Sequence, residues 1–242
     1  MTPPRGLSRY IGEGDFKAVG EKYVEYLITL GGLKKEDKIL DVGCGIGRMA
    51  VPLTAYLEED GSYDGFDIVP EGIKWCRENI TSRFPNFRFL VADIYNKQYL
   101  PTGKYSAADY KFPYESNRFD FVFLGSVFTH MLPKDMANYL SEIVRVLRIG
   151  GTIFVTFFLL NDESRRLIAD GSSSFDFRVE LDGCWSIDEQ VPERAVAYEE
   201  DHIRTLFEKQ NLSIVEPIRF GSWSGREKFT DVQDIVVAKR ET

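Results

Sequence analysis

The run Asp41-Val42-Gly43-Cys44-Gly45-Ile46-Gly47 is the part of the sequence best suited to meet a ligand. Glycines at alternate positions let the backbone turn tightly and approach a bound group that a side chain would hold off. Proteins that bind dinucleotides carry similar loops, and a tight turn that binds nothing is the plain alternative. Asp67 follows Gly47 by 20 residues. A carboxylate at that distance can accept hydrogen bonds from both hydroxyls of a ribose, or it can be a solvated acid at a strand end. Asp93 can accept from an adenine amino group, with Ile68 and Ile94 against the ring faces, although strand ends often carry Asp for their turns alone. His130 closes the stretch Gly125-Ser126-Val127-Phe128-Thr129-His130. An imidazole with an ordinary pKa near 6.5 suits proton abstraction near neutrality, and the competing reading is a histidine that caps or packs. His202 reads as structural or solvated, and Cys44 as small and buried rather than catalytic.

These residues need elements to position them. Phe16–Leu30 carries apolar residues at helical spacing and ends at Gly31-Gly32. Lys38–Val42, Ser62–Ile68, Asn86–Asp93, Phe119–Leu124 and Thr152–Phe158 read as strands. Arg48–Leu57, Pro70–Arg83 and Pro133–Leu147 read as the helices between them, and Asp201–Gln210 as a later one. Alternation of this kind predicts a parallel sheet wound with helices on both faces. Ser213–Phe220 and Val232–Lys239 have no helix between them, so they are expected to form an antiparallel hairpin at one sheet edge. The fold class is therefore α/β, a Rossmann-like doubly wound sheet of seven strands. In such sheets ligands lie beyond the carboxyl ends of the strands, where the glycine loop, Asp67, Asp93 and Gly125 all fall.

The motifs Asp41–Gly47, Asp67, Asp93, Phe119–Leu124 and Leu147–Gly151, taken in order, resemble those of the class I S-adenosylmethionine-dependent methyltransferases. The resemblance covers Lys38–Phe158 closely and the terminal hairpin in outline. It implies that Gly43, Gly45 and Gly47 approach the methionine moiety of the donor, with Cys44 and Arg48 beside them. Asp41 would help bind the amino group, directly or through a water. Asp67 would hold the ribose, Ile68, Asp93 and Ile94 the adenine, and Gly125 and Ser126 the reacting sulfur and methyl group. Tyr10 and Phe16 would pack over the methionine end. A nicotinamide-dependent oxidoreductase is the rival for the loop, but such proteins favour Gly-x-Gly-x-x-Gly cradling a pyrophosphate. Gly-x-Gly-x-Gly behind an acid suits a cationic amino-acid tail better. A non-catalytic protein that binds the same donor is the other alternative.

The long segments 94–117 and 159–198 are expected to form an acceptor lid, because loops of that length in a compact domain are usually functional or disordered and these are rich in aromatics. Tyr99, Phe112, Arg178, Trp185, Trp223 and Arg226 are candidates to line an aromatic acceptor pocket with a cationic rim. The pattern after the fourth strand, Leu124-Gly125-Ser126, lacks the Asn/Asp-Pro-Pro-Tyr signature of methylation on nucleobase or glutamine nitrogen. Methyl transfer to oxygen of a small molecule is the expected reaction.

Bulk properties fit this picture. The 242 residues suffice for one domain with a large core, residues 1–37 forming a helical cap. A net charge of −8 without a basic run argues against a nucleic-acid partner. Three cysteines and two histidines match no zinc spacing, so no metal is expected, and the odd cysteine count fits a reducing, cytoplasmic setting. No apolar run approaches the roughly 20 residues that span a bilayer, and no signal peptide is read at the start. A monomer or homodimer is expected.

Overall fold

The computed structural model describes residues 1–4, 6–7, 14–97 and 100–242. Helix α1 (Phe16–Thr29) opens it, with the Asp15 carboxylate accepting from the Ala18 amide at 2.8 Å as its N-cap. Then come β1 (Lys38–Val42), the short α2 (Ala50–Leu53), β2 (Ser62–Asp67), α3 (Pro70–Cys76), β3 (Phe87–Val91), β4 (Phe119–Leu124), α4 (Pro133–Val146) and β5 (Leu147–Phe157). After β6 (Leu159–Leu160) follow α5 (Asp162–Ala169), β7 (Val179–Leu181), β8 (Cys184–Ser186), β9 (Val196–Glu199), α6 (Glu200–Lys209), β10 (Leu212–Ile214) and β11 (Asp234–Arg240).

The main sheet has the order β10-β11-β5-β4-β1-β2-β3. β1 to β5 pair in parallel, and β11 runs antiparallel to both β5 and β10, which places the expected hairpin at the edge. Strand side chains alternate between two apolar layers, as a period of two requires. Leu40, Val122, Leu124 and Ile153 pack with Leu140 and Ile143 of α4 and with Ile203 and Phe207 of α6. Ile39, Phe121, Phe123 and Phe154 pack with Leu27 of α1 and Ile73 of α3 on the other face. The strand order reverses between β1 and β4, so the carboxyl ends of these neighbours diverge and leave a crevice.

Several stretches depart from the sequence expectation, among them the strand expected over 213–220, which shortens to β10, and that expected over 152–158, which as β5 begins five residues earlier. The region 161–198, expected to be irregular, contains α5 and, with β6, a second sheet of order β6-β9-β8-β7. β7 and β8 are three residues each, too short for alternation to register, and α5 (DESRRLIA) has little apolar face. Its start was nonetheless encoded: Asn161 and Ser164 form a reciprocal capping box. The helix expected over 48–57 contracts to α2 followed by turns, and that expected over 70–83 becomes α3 continued by a π-helical stretch, Arg77–Thr81.

Two polar ties fix the C-terminal part. The buried Asp234 carboxylate accepts from the amides of Leu159 (2.7 Å) and Gly221 (2.6 Å) and from Trp223 Nε1 (2.8 Å). Lys22 pairs with Asp231 at 2.9 Å, and Tyr26 Oη donates to the Thr230 carbonyl at 2.8 Å, so the β10–β11 connection holds α1. Removing Asp234 strands three donors, and each buried unsatisfied donor costs about 1–3 kcal/mol. Asp234→Ala is therefore expected to lower Tm by roughly 10 °C in a thermal melt, given about 2–4 °C per kcal/mol for domains of this size. A melt unchanged within error would remove Asp234 from the structural framework.

Candidate active site

A cavity of about 660 Å³ opens at the carboxyl ends of β1, β2 and β4, within the range of pockets that enclose small organic ligands. Its floor is the loop after β1. Gly43, Gly45 and Gly47 all have left-handed backbone, with φ of 84°, 54° and 75°. A Cβ on Gly43 would also stand 2.5 Å from Val127 Cγ2, so the loops after β1 and β4 touch only because Gly43 has no side chain.

Asp67 ends β2 and stitches this loop to the sheet. Its Oδ2 accepts from the Gly45 amide at 2.7 Å and its Oδ1 from the Val69 amide at 2.9 Å. Burial raises its pKa, and the hydrogen bonds from Val69, Gly45 and Ile68 oppose that rise. An ionised carboxylate has about four lone-pair positions, so capacity remains for donors from a ligand.

On the opposite wall, Ser126 has φ 59°, a conformation costly for a residue with a Cβ. It is held there by bonds from its amide to Thr156 Oγ1 (2.8 Å) and from its hydroxyl to Gln233 Oε1 (3.0 Å). His130 ends the 3-10 turn Phe128–His130 that follows. Its Nδ1 lies 2.8 Å from the Glu193 carbonyl oxygen, which can only accept. Nδ1 therefore carries the hydrogen, and the lone pair of the neutral ring is on Nε2. Burial lowers the His130 pKa and keeps the ring neutral, against the hydrogen bonds to Glu193 and Arg194 that raise it.

Of the residues singled out from sequence, Gly43, Cys44, Gly45, Arg48, Asp67, Ile68, Ile94, Gly125, Ser126 and His130 all line this cavity. Burial holds the Cys44 thiol well above its ordinary pKa, so it is not a ready nucleophile. Asp41, Gly47, Asp93 and Phe16 are not part of the lining. Asp41 sits one layer behind the loop and accepts from Tyr63 Oη at 2.5 Å. Gly47 faces Ile80 and Cys76, Phe16 meets Trp75 edge-on, and Asp93 pairs with Lys104 Nζ at 3.3 Å.

The acceptor candidates are placed elsewhere. Phe112 is core, packed on Phe66 and Tyr139. Trp223 is buried against Phe158 and Phe177, and Trp185 lies under Arg165. Arg178 pairs with its neighbour Asp176, while Arg226 is buried over Phe220 and bonds Asn161. Tyr10 and Tyr99 lie outside the described residues. The cavity instead recruits Val19 and Tyr23 from α1, Met49, the half-exposed Tyr95 and Tyr105, Asp135 and Tyr139 of α4, and Glu193. Burial, and the charge of Glu193, raise the pKa of Asp135. Tyr95 and Tyr105 were legible only as part of an aromatic segment, and Tyr23 only as one residue of a helical stripe.

A family model described as a methyltransferase domain matches residues 33–211. A phthiotriol/phenolphthiotriol dimycocerosates methyltransferase of Mycobacterium leprae is 33% identical over 114 residues, covering 47% of this chain and 35% of that protein. The matched region spans about a third of the length of the first such relatives. Among solved structures, a SAM-dependent methyltransferase of Methanosarcina mazei superposes with a TM-score of 0.58 at 19% identity, covering 89% of this chain and 98% of that one. The magnesium protoporphyrin IX methyltransferase of Synechocystis, solved with bound SAH, gives 0.59 at 17% identity, covering 96% and 92%. At such identities the likeness is one of fold.

The environment of Asp41 has a consequence for stability. Burial pushes its pKa from 3.8 to about 8, the Tyr63 bond opposing and the Asp67 charge adding to the rise. The folded state therefore holds a proton that the unfolded chain releases near 4. This group's contribution is fully present below that pH and is lost as pH rises through about 8. Denaturant midpoints measured from pH 5 to 9 should fall more steeply in the wild type than in Asp41→Asn. Parallel profiles would show that Asp41 ionises freely in the folded protein.

Proposed function

The chain belongs to the methyltransferase domain family, and on that footing we propose that it transfers the methyl group of S-adenosylmethionine to an oxygen of a small-molecule acceptor. One observation carries the reading: Asp67 faces the cavity with both oxygens held by loop amides and with lone pairs to spare. Such a carboxylate fits the two hydroxyls of a ribose. Ile68 and Ile94 then flank the adenine, and Gly43, Gly45 and Arg48 face the methionine end. Gly125 and Ser126 border the reacting centre. Asp41 and Asp93 act indirectly in this scheme, the first by backing the loop and the second by anchoring Lys104.

The donor supplies a methyl group already activated on a sulfonium, so the protein's task is in-line positioning and removal of the acceptor's proton. His130 Nε2 takes that proton as the acceptor oxygen forms its bond to carbon and the carbon–sulfur bond breaks. A general base of this kind contributes typically about 10²–10⁴-fold.

Segments 94–117 and 159–198 supply the acceptor lid through Tyr95, Tyr105 and Glu193, and α1 within residues 1–37 caps the donor through Val19 and Tyr23. The acceptor is neutral or cationic in this reading. Asp135 and Glu193 line the wall near His130, Lys104 is engaged with Asp93, and Lys97 donates to the Gln190 carbonyl. Among the described residues no helix is long and apolar enough to cross a membrane. A cytoplasmic site of action suits the three unpaired cysteines.

Calorimetric titration with S-adenosylmethionine, with NADH as control, tests the donor. Micromolar binding of the donor alone is expected, and preferential binding of NADH would overturn the proposal. Asp67→Ala should weaken donor binding by about 10- to 100-fold, the worth of hydrogen bonds to a charged group. An affinity equal to wild type would take Asp67 out of the site. In an acceptor screen, His130→Ala should lower kcat by at least about 100-fold while donor affinity holds. Full turnover in that variant would make His130 a packing residue.

A further inference from the structure

His130 is oriented from outside its own element. The carbonyl that holds Nδ1 belongs to Glu193, and the ring's second backbone partner is Arg194; both lie in the 3-10 turn Pro192–Arg194 that leads into β9. That turn is built on two side chains, Asp188 and Ser186, with Asp188 making the bonds at Val191 and Arg194. Asp188 Oδ1 accepts from the amides of Gln190 (2.9 Å) and Val191 (3.0 Å), and Oδ2 accepts from Arg194 Nη1 (2.9 Å). Ser186 Oγ accepts from the Asp188 amide (3.1 Å) and donates to the Pro192 carbonyl (2.9 Å). Residues on both sides of Glu193 are thus fixed through Asp188, and the direction of the Glu193 carbonyl follows from theirs. Asp188 itself is not in the cavity lining. The turn bearing His130 is tied separately, by the bond from Tyr198 Oη to the Met131 carbonyl at 2.6 Å. Loss of the Asp188 side chain removes the bonds at Val191 and Arg194 that flank Glu193 and leaves only Ser186 on Pro192, which loosens the carbonyl without freeing the histidine backbone.

We propose that Asp188 is a positioning residue: through the Glu193 carbonyl it locks His130 in the Nδ1–H tautomer and so keeps Nε2 available as the proton acceptor. The functional meaning rests on the reading of His130 as the general base, but the tautomer lock is a property of the ligand-free protein. Which ring nitrogen carries the hydrogen is set by the hydrogen bond the other side makes. Without a carbonyl at Nδ1, the hydrogen moves to Nε2, the form favoured by a free imidazole, and the site loses its base without losing the residue.

The chain has two histidines, and the second, His202, is exposed on α6. Long-range proton–nitrogen NMR spectra of the uniformly ¹⁵N-labelled protein, at a pH where both rings are neutral, therefore resolve His130 against an internal reference. In the wild type His130 should be a single Nδ1–H tautomer. In Asp188→Ala it should shift to an Nε2–H pattern, with circular dichroism and S-adenosylmethionine affinity unchanged. Should that variant fold poorly, Asp188→Asn retains one acceptor for the two amides and loses the Arg194 bond, and it should give a mixture of tautomers. A pure Nδ1–H tautomer in folded Asp188 variants, or an Nε2–H tautomer in the wild type, overturns the proposal. Full turnover in His130→Ala would instead remove the base while leaving the tautomer result standing, so the two failures are distinguishable.

Discussion

The carboxylate of Asp67 takes the Gly45 amide on one oxygen and the Val69 amide on the other. These bonds join the loop after β1 to the start of α3, across the carboxyl ends of two adjacent strands. Much else is arranged to permit them. Gly72 of α3 stands where a Cβ would come within 2.8 Å of the Gly45 carbonyl oxygen, so only a glycine lets the helix approach the loop this closely. The amides of Gly43 and Cys44 both point to the Phe66 carbonyl, at 2.9 and 3.1 Å, which draws the loop down onto β2. The oriented amides favour the charged carboxylate and oppose, without cancelling, the rise in pKa that burial causes.

What could be read from the sequence divides along physical lines. The glycine loop, Asp67 and the β4 turn were legible because each is a local demand: backbone that turns sharply, or an acid at a strand end, leaves its mark within a few residues. The main sheet was legible because buried parallel strands such as KILDV and FDFVFL are short apolar runs bounded by turns. The cavity walls were not. Tyr23, Met49 and Glu193 reach the site from three separate elements, and nothing in their own neighbourhoods distinguishes them from packing or surface residues. The small sheet escaped notice because its strands are two to four residues long.

The cationic acceptor rim illustrates the same limit from the other side. Arg178 and Arg226 were expected to face a ligand because guanidinium groups suit carboxylates. Their partners lie close in the chain or in space: Asp176 is two residues from Arg178, and Asn161 and Glu163 meet Arg226. Aromatic content misled similarly at Phe112 and Trp223, whose rings are buried in the apolar interior. Composition told that the segments were ordered, while topology decided which side of each faced the cavity.

The C-terminal hairpin has a role at the site that its position at the far edge conceals. Ser126 adopts a left-handed backbone in the turn after β4, beside the Val127 that meets Gly43, a strain of order 1–3 kcal/mol. The bond to Thr156 of β5 holds its amide, and the bond to Gln233, just before β11, holds its hydroxyl. β11 lies against β5, and the connection leading into it also grips α1 through Asp231 and Thr230. One segment thus fixes the strained turn on one wall and the helix that supplies Val19 and Tyr23 to another. The hairpin completes the sheet, and its connection also ties together two elements that line the cavity.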